Sequence, residues 1–503
     1  MRATPQTQPL EKMVQNRAGG FGYRLTCWQR AERFLILGID GVTYYATQQE
    51  QADLAVRSIQ ECLEQDGPRM VRLAADISVK GRGVSNKPCL IALAMALASP
   101  DLETRQEVRK VFLDVVRTGS HLLMIVDFID TLTGWGRLKQ SCVRDWYTKT
   151  PSMEFQVLKY LQRMGQNDNR WHHRDVLQLC NAKLPEEQQP LLDFLFERVV
   201  TNPSPLLKDY LELRDGGNAV EIVKRGRVSW EMVPSEARTD AFWIDMVPQL
   251  PPQAMLRNLS VITARGLDKA MSGVICDRLS MSRCTKARLH PLAVLLSLFA
   301  YRRGCGVKGH LSWTPNVDIV EHLHALVSSQ LQQVESTTEQ LAIAIDVSGS
   351  MSRKTSVGAS ATTLAATLAL FLARSCKDPI LMDFDTTVRK SALRPEMTLS
   401  QVIHTYEHPP GGGTDCAAPI RTLMDQGHNP AGVVILSDNE TWAGRSHVQQ
   451  TMNEFRIVRQ APIKLLGVDI VPGYASVMDP DDPLSLACIG YDAGAVDLIT
   501  HFL

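Results

Sequence analysis

Three short polar segments hold the residues most able to do chemistry in this chain. Asp346-Val347-Ser348-Gly349-Ser350 follows an apolar run, and Leu436-Ser437-Asp438 closes another. Between them lies Gly411-Gly412-Gly413-Thr414-Asp415. Together they offer hydroxyls from Ser348, Ser350 and Thr414 and carboxylates from Asp346 and Asp438. An all-oxygen set of this kind suits a hard divalent ion, Mg²⁺ or Mn²⁺, with water or a partner's carboxylate completing the octahedron. The glycines let the backbone turn tightly beside the ion. D-x-S-x-S alone recurs by chance; the ordered conjunction of all three segments is specific.

The elements around these segments decide whether they can meet. Leu341–Val347, Pro379–Phe384, Thr387–Ser391, Gly432–Leu436 and Ile463–Ile470 read as strands. Ser356–Cys376, Asp415–Gln426 and His447–Arg459 read as helices. Such alternation with continuous apolar strands predicts an α/β doubly wound domain over 337–503, with a parallel sheet covered on both faces and right-handed crossovers. Ligands on such sheets sit at the carboxyl ends of the strands, where all three polar segments fall. The pattern resembles the metal-ion-dependent adhesion site of von Willebrand factor A domains. A metallo-hydrolase would need a second metal cluster or a nucleophile with its base, and neither is evident.

Residues 1–336 have a different texture. Gln51–Glu64, Lys87–Ala98, Leu102–Thr118, Ser120–Thr131, Arg137–Trp146 and Glu154–Gln162 place apolar residues at helical spacing. Short breaks such as Gly67-Pro68 and Thr150-Pro151 separate them. This density of short helices predicts an all-α array of HEAT-like stacked pairs, with a compact irregular helical domain as the alternative. The eleven cysteines form no C-x-x-C pair, which fits free thiols in a reducing compartment. Met1–Gly20 has no apolar core of the signal-peptide kind, and Thr355–Ala373 carries too many hydroxyls for a membrane span. A cytoplasmic protein is the expectation.

The 503 residues carry 54 basic and 54 acidic side chains, which excludes a polybasic tail but not a basic patch. Residues 1–340 are net +5 and residues 341–503 net −5. The window 257–310 has ten basic residues against Asp268 and Asp277. It reads as an anion-binding surface or a solvated helical face. Arg257, Arg265, Arg302, Arg303 and Lys308 are its candidate phosphate contacts. Lys80 and Arg82 flank a glycine; Arg137 follows Gly136, with Lys139 and Arg144 next along the helix. Arg170, Trp171, His172, His173 and Arg174 gather phosphate and stacking groups in one turn, although Trp171 also suits core packing. His404 and His408 precede two prolines with no third ligand near, and read as surface histidines.

Read together, several stretches are distinctive: Asn16–Gly22, Ser78–Arg82, Gly134-Trp135-Gly136-Arg137, Trp171–Asp175, Ala254–Asn258 and Tyr301–Trp313. With the C-terminal domain they resemble the Ro autoantigen family of TROVE-domain RNA-binding proteins, in order and over nearly the whole chain. The resemblance implies HEAT-like repeats closed into a ring whose ends the A domain bridges. It implies noncoding Y RNA on the outer surface, where His173 and Arg174 match a family His-basic-Asp turn. It implies single-stranded 3′ ends of misfolded or precursor RNA in the central hole, and exoribonucleases as partners of bacterial members. The resulting expectation is a monomeric, non-enzymatic RNA-binding protein without membrane association. The rival is a protein-interaction scaffold built on the A-domain metal site. A ribonuclease would need clustered acids or a His–Lys pair, which the sequence does not display.

Overall fold

The strands that carry the polar segments are apolar throughout, and this buries them on both faces. In chain order the strands are β1 (Met13–Gln15), β2 (Phe21–Arg24), β3 (Leu341–Asp346), β4 (Ile380–Phe384), β5 (Val388–Lys390), β6 (Gly432–Ser437), β7 (Lys464–Asp469), β8 (Ala475–Ser476) and β9 (Ser485–Ile489). They come from a computed structural model that describes residues 3–37, 48–83, 85–161, 171–287, 289, 291–306, 310–331, 339–353, 359–471, 475–489 and 502.

A six-stranded sheet runs β5-β4-β3-β6-β7-β9. All its pairings are parallel except the edge strand β5, which returns antiparallel beside β4. The register sets Asp346 opposite Phe384 and Ser437 opposite Asp469, so the strands end along one edge. Ala342, Ala344, Val433 and Ile435 form a core with Ile420, Leu423, Met452 and Phe455 of the helices Ala418–Asp425 and Val448–Arg459. The alternate side chains face the opposite way, toward the helix Ala361–Ser375, which packs on β3 and β6. That helix starts later than its apolar pattern predicts, because Ser360 caps it: its Oγ accepts the Thr363 N–H at 3.0 Å. Among the described residues no helix is long and apolar enough to cross a membrane.

The N-terminal segment also belongs to this unit. β1 pairs with β2, and β2 pairs with β8, some 450 positions along the chain. The Asn16 side-chain amide donates to the Thr441 carbonyl at 2.6 Å, and the Arg17 and Ala18 N–H groups donate to Glu440 at 3.0 and 3.2 Å. Gly20 lies so close that a Cβ there would stand 2.0 Å from the Thr441 carbonyl oxygen. These contacts hold the loop that follows Asp438.

The chain divides into two compact units, Met1–Leu54 with Leu250–Leu503, and Ala55–Gln249. The second unit is helical, as the periodicity predicts. Its helices include Lys87–Ala96, Leu102–Val115, Gly119–Phe128, Arg137–Lys149, Met153–Leu161, His173–Cys180 and Pro205–Arg214. Side-chain caps begin several of them: Asp101 accepts from Glu103 and Thr104, and Thr118 from His121. At Gly67-Pro68 the backbone bends within Gln48–Lys80, with Asp66 at φ −155°, rather than breaking into a loop. A Cβ on Gly67 would fall 1.8 Å from Thr104 Oγ1, so glycine is what lets these two helices touch. The helices Pro252–Ala264, Asp268–Arg278, Pro291–Arg302 and Val317–Leu331 lie in the first unit with the sheet.

Candidate metal site and nucleic-acid surfaces

The three polar segments of the A domain meet. Gly349 N–H donates to the Gly412 carbonyl at 3.1 Å, which brings the D-x-S-x-S turn against the glycine loop. Ser348 Oγ and Ser350 Oγ stand 3.3 Å apart, and the Ser437 hydroxyl donates to Asp346 at 2.5 Å. Ser350 also hydrogen-bonds Asp438. The glycines have separate tasks. Gly411 and Gly412 take φ +79° and +127°, which other residues rarely adopt. A Cβ on Gly413 would come 2.6 Å from the Trp442 ring.

Asp346 is fully buried and Asp438 nearly so. Burial, and then the neighbouring Asp438 charge, push Asp346 up to about 7. Burial also raises Asp438. Two desolvated carboxylates among serine hydroxyls are an electrostatically costly arrangement unless a cation neutralises them. The donor set therefore fits a hard divalent ion. Among the described residues no group of three His, Cys, Asp or Glu side chains is placed to hold a metal, so such a site depends on the hydroxyls.

Around this centre the edge is acidic but braced. Glu440 is raised to about 7, first by burial and then by Asp438. Asp469 pairs with Arg33, which reaches in from the helix Cys27–Leu37, and accepts from Asn439. Asp415 pairs with Arg421, and Asp385 with Arg389 at 2.5 Å. Sequence reasoning quoted Ser437 without giving it a role, and it missed Glu440 and the N-terminal brace. Ser437 was detectable: a hydroxyl next to a strand-final aspartate lies beside the neighbouring strand end.

The basic candidates fall into two groups, one in each compact unit. In the helical unit Arg137 and Arg144 are exposed on one helix, without a hydrogen-bond or ion-pair partner for either guanidinium among the described residues. Trp135 and Trp171 meet edge-on at 6.1 Å, which sets the Arg137 turn beside the turn of exposed His172 and Arg174. Arg174 lies 3.6 Å from Asp175 and 3.9 Å from Glu197. Lys80 pairs with Asp76 one turn earlier at 2.8 Å, and Arg82 is half-buried. In the other unit Arg257, Arg265 and Arg302 are exposed and Arg303 is half-buried. The Thr263–Tyr301 hydrogen bond, 2.8 Å, ties the helices that bear them. Arg170 and Lys308 lie outside the described residues.

Residues 14–204 and 221–303 match the TROVE domain, and residues 340–503 match the Ro60 vWA domain. The chain belongs to the TROVE-domain Ro family. Its relatives include a protein of Deinococcus radiodurans named RNA-binding protein RO60, 29% identical over 99% of this chain and 97% of that one. Another of the same name, from Caenorhabditis elegans, is 24% identical over 97% of this chain and 90% of its own. The crystal structure of the Deinococcus radiodurans Ro (RSR) protein superposes with a TM-score of 0.74 at 26% identity, covering 95% of this chain and 99% of that one.

Two expected RNA contacts of this Ro-family chain lie in the interior instead. His173 has no exposed surface. Its Nδ1 shares a 2.8 Å hydrogen bond with the Tyr147 hydroxyl, and its ring stacks on Trp146 at 17°. Burial lowers its pKa to about 3, so the ring is neutral and cannot serve as a surface cation. Lys139 is buried too, and its ammonium donates to the Thr133 carbonyl and hydroxyl and to the Gly134 carbonyl at 3.1, 3.0 and 2.7 Å. All three of its donors are thereby engaged. It caps the wide turn Ile129–Thr133 and has nothing left for a phosphate.

Proposed function

We propose that this chain is an RNA-binding protein that holds small noncoding Y RNA on its basic helical surface. It also takes single-stranded 3′ ends of misfolded or precursor RNA, in quality control, maturation or decay alongside exoribonucleases. The observation that carries the reading is the nearly end-to-end match to relatives named RNA-binding proteins. The exposed Arg137, Arg144, His172 and Arg174 supply what backbone recognition needs. Three arginine–phosphate contacts predict that affinity falls about fortyfold between 50 and 200 mM salt. Filter binding of a structured noncoding RNA at the two concentrations tests this; salt-independent binding contradicts it. A stem with a free single-stranded 3′ tail is expected to bind more tightly than the same stem made blunt. Equal affinities remove the 3′-end part of the reading.

Combining Arg137→Ala, Arg144→Ala and Arg174→Ala is expected to weaken binding ten- to a hundredfold and to flatten the salt slope by about three. The fold should hold, because exposed substitutions usually cost less than about half a kcal/mol. Wild-type affinity in that variant refutes the placement.

In the A domain, Asp346, Ser348, Ser350, Thr414 and Asp438 are proposed to hold Mg²⁺ or Mn²⁺. The ion would supply a Lewis-acidic point able to take a partner's carboxylate. The A domain is net acidic and repels phosphate, so RNA affinity is expected to survive Asp346→Ala.

A further inference from the structure

A cavity of about 490 Å³ opens where the end of the helix Pro291–Arg302 meets the A domain. Its polar lining includes Arg302, Arg303, Glu407 and His408, and its apolar lining includes Phe299 and Ile403. This volume lies within the range of small-molecule sites, which combine apolar walls with a few convergent polar groups.

The lining is selective in what it leaves available. Three hydroxyls border the cavity, but all are committed as donors or within a pair. Ser352 Oγ donates to the Gly349 carbonyl at 2.7 Å, and Thr363 Oγ1 to the Tyr406 carbonyl at 3.1 Å. Ser360 Oγ is bonded to Thr363 Oγ1 at 2.8 Å. The Arg303 Nε donates to the Cys305 carbonyl at 2.9 Å, and its terminal nitrogens meet no hydrogen-bond partner among the described residues. The Arg302 guanidinium is exposed and has no hydrogen-bond or ion-pair partner among the described residues. Unspent guanidinium donors above an apolar wall favour a planar, anionic guest. Arginine forks match phosphate geometry, and an apolar wall takes the face of a base. Glu407 offers an acceptor to a ribose hydroxyl or a base amine, but would repel a second anionic group.

We infer that this cavity binds a nucleotide phosphomonoester, with Arg302 and Arg303 on the phosphate and Phe299 and Ile403 against the base. The guest is a free mononucleotide or the phosphorylated end of an RNA chain; the second source rests on the RNA-binding reading, the first does not. The site is separate from the A-domain oxygen set, although Ser352 links its rim to the D-x-S-x-S turn.

Calorimetry on the full chain with uridine 3′-monophosphate, uridine and inorganic phosphate tests the inference. The monophosphate is expected to bind at least about tenfold more tightly than uridine or phosphate alone, and Arg302→Ala to abolish that preference. The variant's melting curve should match wild type, since the exposed Arg302 guanidinium has no hydrogen-bond or ion-pair partner among the described residues. In parallel, a short RNA ending in a 3′-phosphate is compared with its 3′-hydroxyl form. An Arg302-dependent advantage for the phosphate assigns the site to RNA ends. Mononucleotide binding with no such advantage assigns it to the free nucleotide. Monophosphate binding no better than uridine, or untouched by Arg302→Ala, overturns the inference. If RNA still binds with a steep salt dependence in that case, the RNA-binding reading stands and only the cavity assignment falls.

Discussion

Replacing His173 with serine should destabilise the helical unit by about 2–4 kcal/mol, through a cavity and an orphaned hydrogen bond. The imidazole fills space between Trp146, Tyr147 and Gly119; a Cβ on that glycine would stand only 3.2 Å from His173 Nε2. Serine would leave this space empty and the Tyr147 hydroxyl without its partner. The effect is also pH-dependent. Burial holds the folded pKa near 3, while the unfolded histidine titrates near its ordinary 6.5. Below 6.5 the unfolded chain therefore binds more protons. The contribution is complete above that pH and is lost as pH falls toward 3, by up to about 1.4 kcal/mol per pH unit. Burial lowers His121 and His324 to about 4, so they add slopes of the same sign. Urea midpoints at pH 7 and pH 5 are the measurement. The gap between wild type and His173→Ser should be wide at pH 7 and narrower at pH 5. Equal midpoints at pH 7, or selective loss of RNA affinity with an unchanged midpoint, would return His173 to the surface.

The burial of His173 was legible in the sequence. His173, Val176, Leu177 and Cys180 recur at helical spacing, and all are buried. Lys139 heads the same kind of stripe with Cys142, Val143 and Trp146. Residue type argued for the surface while position argued for the interior, and position prevailed: three oxygens take the Lys139 ammonium, and the neutral His173 ring keeps one hydrogen bond, to Tyr147. The parallel strands were legible because strands buried on both faces are apolar without interruption. The same logic marked the strand-end loops, so the Asp346–Asp438 constellation was readable in order and in residue type. β1, β2 and β8 were not legible. They are two to four residues long, and β8 lies about 450 positions from its partner. No local periodicity can encode a pairing of that range. The brace that β1 and β2 give to the Glu440 loop was invisible for the same reason.

That brace fixes the loop following Asp438, beside an oxygen set whose buried charge has its own consequence. Asp346→Asn should raise the melting temperature in EDTA and abolish any stabilisation by Mg²⁺. The carboxylate is buried beside Asp438 and titrates near 7, well above an unfolded aspartate. Between about 4 and 7 the folded chain therefore holds more protons than the unfolded one. Without a cation, the contribution of this group to stability falls as pH rises through that window. Asparagine carries no charge to desolvate and can keep both local bonds. Its Oδ1 can accept the Ser348 N–H, now 2.9 Å from Asp346, and its Nδ2 can donate to Ser437 Oγ. Mg²⁺ should act in the opposite direction on wild type. An ion that binds only the folded form stabilises by about 2.7 kcal/mol at a hundred times its Kd. Deprotonation of Asp346 favours that binding, so the Mg²⁺ effect should grow from pH 5.5 to pH 7.5. Melting curves in EDTA and in Mg²⁺ at the two pH values separate the contributions. A Mg²⁺ shift of equal size in wild type and Asp346→Asn would place the ion elsewhere. A variant less stable than wild type in EDTA would mean that the buried carboxylate is satisfied by its hydrogen bonds alone and has no need of a cation.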